Sequence, residues 1–202
     1  MNAVAEAVSA LRAGRPVVLP FDTVYGLAAD AYRSEPTERL YRLKGRPATQ
    51  PSALVAVDVD YLLECLPELR GRSATVARAL LPGPLTLILP NPARRFRWIT
   101  GTNETAIGVR VPKLSGCGAD VLGRVGAVVA TSANRPGEPD PARLDDVPEE
   151  MRSGAGAVVD GGALPGTPST VVDLTGAEPA IVRVGAVPGD DVAARVTAAL
   201  AD

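Results

Sequence analysis

Two cations flanking one glycine, Lys44-Gly-Arg46, and two short polar side chains flanking one alanine, Ser132-Ala-Asn134, have spacings that invite chemistry in this 202-residue chain. A lysine ammonium is a compact charge, and an arginine fork matches phosphate or carboxylate oxygens in pairs, so the first group suits a polyanion. Two apart on extended chain, Ser132 and Asn134 point to the same side, where they could bond sugar hydroxyls or phosphate oxygens. Asp22-Thr23, Arg110 and Arg183 add polar groups at or near the ends of predicted strands. In open α/β sheets ligands bind outside strand carboxyl ends, where diverging loops leave a crevice. Each feature taken singly also has a plainer explanation. Lys-x-Arg at a helix end complements the dipole, Ser-x-Asn after a strand is commonly a turn, and a strand arginine can simply be paired.

Absences narrow the chemistry. The chain has no histidine, which removes Ser-His-Asp and Cys-His nucleophiles, His-ligated zinc and the commonest general base. Cys65 and Cys117, 52 residues apart, form neither a four-sulfur metal site nor a disulfide framework. No G-x-x-x-x-G-K-S/T run is present, so a Walker-type site is excluded. Gly116-Cys-Gly118 and Gly154-Ala-Gly156 begin like dinucleotide fingerprints, but Val121 and Val159 stand where a third small residue is required; both read as tight loops. The 21 basic and 23 acidic residues argue against broad nucleic-acid binding. Glu6 and Arg12 fall within the first helical pattern, so no signal peptide is expected. No apolar run approaches the roughly 18 residues of a membrane span, and a cytoplasmic protein is expected.

The elements that must position these groups follow from periodicity. Val4, Val8 and Leu11 predict a helix capped by Asn2 and closed near Gly14. A strand over 16–20 leads to a loop carrying Asp22-Thr-Val-Tyr-Gly26, then a helix runs from Pro36 to Lys44 with Gly45 as its stop. A strand at 54–57 precedes two helices, one capped by Asp58 and one ending at Pro82-Gly-Pro84. Strands follow at 85–89, 106–111, 127–130, 157–160, 170–174 and 180–184, with a helix near 190–201. Residues 135–168, rich in proline, glycine and acid, read mostly as loop. Strands and helices alternate without a repeat, which predicts one α/β domain over residues 1–202 with a twisted mixed sheet flanked by helices.

In this order the polar groups join six blocks. They are Leu19-Pro-Phe-Asp-Thr-Val-Tyr-Gly-Leu-Ala-Ala-Asp30, Leu43-Lys-Gly-Arg-Pro47, Pro82-Gly-Pro-Leu-Thr86, Ile107-Gly-Val-Arg-Val-Pro112, Thr131-Ser-Ala-Asn134, and Pro168-Ser-Thr-Val-Val-Asp173 followed by Arg183. Together they resemble the YrdC-like family of threonylcarbamoyl-AMP synthases, from Val17 to about Val187. The first block is close to the family's Pro-Thr-(Asp or Glu)-Thr-Val-Tyr-Gly-Leu signature.

The resemblance implies a large concave, locally basic cleft. It also implies a reaction in which L-threonine, bicarbonate and ATP, with Mg²⁺, give threonylcarbamoyl-AMP and pyrophosphate for threonylcarbamoylation of tRNA. By the same resemblance Lys44 and Arg46, the catalytic pair, would hold the ATP phosphates, and Ser132 and Asn134 would bind the nucleotide. Gln50 would offer an amide to the nucleotide and Arg183 would contact ATP. Thr23 and Ser169 would lie against threonine, Arg110 would clamp its carboxylate, and no residue is assigned to a metal. Partners implied are tRNA-modification transferase proteins, with direct tRNA contact left open. Departures are Phe21 for a family Thr, Ser52-Ala53 for Leu-Ile, Gln50 for Asn, and Val55 where many relatives place a His lining the threonine pocket. A carbamoyl-adenylate-forming enzyme for another amine, or a non-catalytic RNA-binding module of the same fold, stand as alternatives.

Overall fold

The computed structural model describes residues 2–201. Helix α1 (Ala3–Arg12) precedes strands β1 (Val17–Pro20) and β2 (Tyr25–Asp30), and α2 (Ser34–Lys44) leads to β3 (Ala53–Ala56). Helices α3 (Val59–Cys65) and α4 (Arg72–Leu80) follow, then β4 (Leu85–Pro90), β5 (Ala106–Arg110), α5 (Gly116–Val125) and β6 (Ala127–Ser132). The chain ends through α6 (Glu149–Gly154), β7 (Thr170–Asp173), β8 (Ala180–Arg183) and α7 (Gly189–Ala201). Local signals set several boundaries. Asn2 Oδ1 accepts the Val4 N–H at 3.0 Å and Asp58 Oδ1 the Tyr61 N–H at 2.7 Å, each satisfying a helix-end donor. Gly45 ends α2 in the left-handed region at φ 66°, where a side chain would be strained.

All eight strands join one sheet in the order β1-β2-β6-β3-β5-β4-β7-β8. The β3–β5 and β4–β7 pairs are parallel and the others antiparallel. Alternation along the strands sends Val18, Leu27, Leu54, Leu87, Val109 and Val172 to one face, where side chains of α2, α3, α4, α6 and α7 complete a continuous core. The opposite face carries a second cluster. Val4, Val8 and Leu11 of α1 with Val121 and Leu122 of α5 cover Val17, Leu19, Ala28, Val55 and Val128. Those two helices pack on β1, β2 and β6, so the same face is left open over β5, β4 and β7 and over the ends of β2, β3 and β6 that carry Gly26, Ala53 and Ser132.

The mixed sheet follows the sequence reading; several local features differ from it. Residues Tyr25–Asp30 form β2, where a loop was expected from Asp22 to Gly26. This strand is buried on both faces and paired on both edges, so it shows no polar alternation. Gly116-Cys-Gly118 opens α5 and is no tight loop; burial of Val121 and Leu122 holds a helix that three glycines disguise. Helix α2 begins at Ser34, two residues before Pro36. The expected strand at 157–160 contributes a single bridge, Val18 to Val158, and the expected loop over 135–168 contains α6. The alternation of β4 makes a stability prediction. Leu87→Ala, fully buried on the helix-covered face, should cost about 2–5 kcal/mol in urea unfolding, and Ile88→Ala on the open face clearly less; the reverse order would contradict this assignment of faces.

Candidate functional site

The open half of the sheet is the floor of a cavity of about 440 Å³. Residues paired across strands share a face, and the register aligns Gly26 with Ser132, Ala53 with both Ala130 and Gly108, and Gly108 with Ile88. All of these line the cavity. Glycine and alanine make the floor because nothing larger is needed to fill space that no helix occupies. Thr23, Arg46, Arg110, Ser132, Ser169 and Arg183 stand around it. Six of the sequence-predicted site residues therefore converge on one cavity, although they lie up to 160 positions apart.

Each arginine is held by its own set of oxygens. At the end of β5, Arg110 Nη2 donates to Thr23 Oγ1 at 2.7 Å and pairs with Asp22 Oδ1. Asp22 Oδ2 accepts the Lys113 N–H at 2.9 Å, tying that carboxylate to the chain just beyond β5. Burial pulls the Arg110 guanidinium below its ordinary pKa, with Asp22 opposing and Arg183 adding to the fall. The Phe21 ring lies 5.8 Å from the Arg110 guanidinium carbon, within cation–π range. Arg183 donates through Nε and Nη2 to Ser169 O at 3.2 and 2.8 Å, and Ser169 Oγ sits 2.8 Å from Thr86 Oγ1. Arg46 Nη1 donates to Thr131 Oγ1 at 3.0 Å and Nη2 to Pro51 O. Neither Arg46 nor Arg183 has a carboxylate partner among the described residues. The Nε atoms of Arg46 and Arg110 are buried without any acceptor, donors for which the protein supplies nothing.

Three of the predicted residues do not line the cavity. Gln50 is exposed on the segment that carries Pro51 and Ser52 to its edge. Lys44 and Asn134 are buried, 5% and 7% exposed, and bonded to each other. Burial and the neighbouring Arg46 lower the Lys44 ammonium to about 8.

Tyr25 clasps the Gly-rich stretch that leads to Ser169. Its hydroxyl lies 2.9 Å from Asp160 Oδ1 and 2.8 Å from Gly162 O while accepting the Gly161 N–H at 2.9 Å, and burial pushes its pKa up to about 12. Val55 faces the cavity beside Arg110 in the β3–β5 ladder, so that wall is apolar. Sequence reasoning missed the Asp22 pairing with Arg110, the Thr131 anchor of Arg46, and Thr86, Asp140 and Asp173 in the cavity wall. Period-two alternation through Thr86-Leu-Ile88 was the available signal for Thr86.

The family model Sua5_yciO_yrdC, described as Telomere recombination, matches residues 9–185. The chain is 33% identical over 183 residues to a threonylcarbamoyl-AMP synthase of Pyrococcus abyssi, covering 90% of this chain and 54% of that protein. It is 33% identical over 191 residues to one from Pseudomonas syringae pv. syringae, covering 90% of this chain and 97% of the relative. A crystal structure of P. abyssi Sua5 complexed with L-threonine superposes with a TM-score of 0.85 at 31% identity, over 95% of this chain and 56% of that one. The chain thus spans about half the length of the archaeal relative and nearly all of the pseudomonad one.

Two floor glycines should respond differently to alanine. A Cβ at Gly26 would stand 2.5 Å from the buried Phe21 ring, whereas one at Gly108 meets nothing closer than 3.6 Å. Thermal unfolding should show a loss of about 1–3 kcal/mol for Gly26→Ala and no loss for Gly108→Ala, whose strand gains from a side chain. Equal losses would contradict the packing of Phe21 on Gly26.

Proposed function

The chain belongs to the Sua5/YciO/YrdC family, and from that premise we propose that it is an L-threonylcarbamoyladenylate synthase. The observation that carries this reading is the convergence of Arg46, Arg110 and Arg183 on one cavity. Two of them are held by neutral oxygens alone, which leaves their charge to be balanced by an anionic ligand. ATP and an amino-acid carboxylate together supply such anions, and the cavity falls within the size range of small-molecule sites.

In this reading Arg46 and Arg183 meet the ATP phosphates, Ser132 and Gln50 meet the nucleotide, and Arg110 with Thr23 and Ser169 takes threonine. The threonine amine adds to bicarbonate-derived carbon dioxide and loses a proton, giving a carbamate. A carbamate oxygen then forms a bond to the α-phosphorus as the bond to the β-phosphate oxygen breaks, and pyrophosphate leaves. Such a displacement needs positioned reactants and stabilised phosphate charge, and no side-chain nucleophile. The lack of histidine is compatible with it.

ATP would enter with Mg²⁺, which neutralises phosphate charge when bound. No group of three His, Cys, Asp or Glu side chains able to hold a metal occurs among the described residues. Asp140 and Asp173 are the carboxylates that line the cavity and would be the ones to meet such an ion. The adenylate would serve transferase proteins that modify tRNA in the cytoplasm; among the described residues no helix is long and apolar enough to cross a membrane.

Purified protein given ATP, Mg²⁺, threonine and bicarbonate should release pyrophosphate only when both threonine and bicarbonate are present. Release that ignores threonine would sink the assignment. Arg46→Ala should weaken ATP binding about ten- to a hundredfold, the worth of charge-assisted hydrogen bonds, as measured by calorimetry. Unchanged affinity would remove Arg46 from the phosphate site.

A further inference from the structure

Lys44 is one of only two lysines in a chain with nineteen arginines. It sits at the last residue of α2, is 5% exposed and does not line the cavity. An ammonium has three N–H donors, and three oxygens surround this one. They are Ser132 O at 2.7 Å, Asn134 Oδ1 at 2.7 Å, and Asn134 O. No donor remains for a phosphate.

The contacts continue beyond the ammonium. Ser132 Oγ donates to Asn134 Oδ1 at 2.6 Å, and Asn134 Nδ2 donates to Glu138 O at 2.6 Å. Ser132 and its neighbour Thr131 both line the cavity, and Thr131 anchors Arg46. A guanidinium is flat, with its donors in one plane, and cannot meet three oxygens gathered around a point. That geometry explains why a lysine stands here in a chain that otherwise relies on arginine.

Resting on the nucleotide reading of the cavity, we propose that Lys44 is a positioning residue. It is a buried brace that fixes the C-terminal end of β6, and with it Ser132 and the Thr131 anchor of Arg46, without itself touching the nucleotide.

Acetylation of the unaltered protein, read by mass spectrometry, tests the brace without any substitution. Lys113 is exposed and provides the control. Lys113 should react and Lys44 should not, whether or not ATP is present. Labelling of Lys44 in the free protein that ATP then suppresses would overturn the proposal.

Calorimetry on variants gives the second arm. Lys44→Arg and Lys44→Met should both lose ATP affinity by about ten- to a hundredfold, as expected for misplaced binding groups, with threonine affinity unchanged. Retention of ATP affinity by Lys44→Arg would mark a phosphate-binding cation and overturn the brace. Equal loss of both ligands would reduce the effect to damage of the fold and overturn it too. A wild-type protein that binds no ATP would refute the proposed function instead, and the labelling of Lys44 would still decide the brace.

Discussion

A β-sheet has two faces, and in this protein the helices cover only one of them completely. Everything about the site depends on that incomplete cover. The face under α2, α3, α4, α6 and α7 is a continuous aliphatic core, whereas α1 and α5 shield only part of the other face, over β1 and parts of β2, β3 and β6. Where cover stops, the strands must present residues that tolerate both a neighbouring core and an open space. Glycine and alanine occupy the floor, and threonine, serine and arginine occupy the walls. The cavity is what remains when half a sheet face goes without a helix.

Gathering guanidinium groups in such a space works against their mutual repulsion and their loss of water. The structure handles each one differently. Arg110 has a carboxylate, Asp22, which is itself fixed by a backbone donor. Arg46 and Arg183 have carbonyl and hydroxyl oxygens, which orient them but leave their charge uncompensated. In the proposed reading such a site is prepared for anions before any arrive, and charge already in place would favour attack on a phosphate without a histidine. Behind the cavity lining, the Lys44 ammonium sits among its oxygens and the Tyr25 hydroxyl against Asp160, Gly161 and Gly162.

Much of this was legible in the residues. Caps at Asn2 and Asp58, the stop at Gly45 and the apolar runs of β4, β5 and β6 place most elements correctly, and the polar groups at strand ends mark one crevice. What escaped has physical causes. Strand β2 is buried along nearly its whole length, so it lacks the alternation that exposes a strand in sequence. Helix α5 is held by tertiary burial against its own glycines. The nature of Lys44 could not be seen either, since a sequence shows a cation but not the three oxygens that surround it. Nor does a sequence show that Asp22 faces Arg110 across 88 positions.

The central claim is spatial: one cavity on the uncovered half-sheet receives the phosphates at Arg46 and Arg183 and an amino-acid carboxylate at Arg110. A crystal structure of the protein soaked with threonine and a non-hydrolysable ATP analogue tests it most directly. The account predicts both ligands in this cavity, with phosphate oxygens on Arg46 and Arg183 and the carboxylate on Arg110. A nucleotide bound elsewhere on the surface, or a carboxylate that leaves Arg110 untouched, would contradict it.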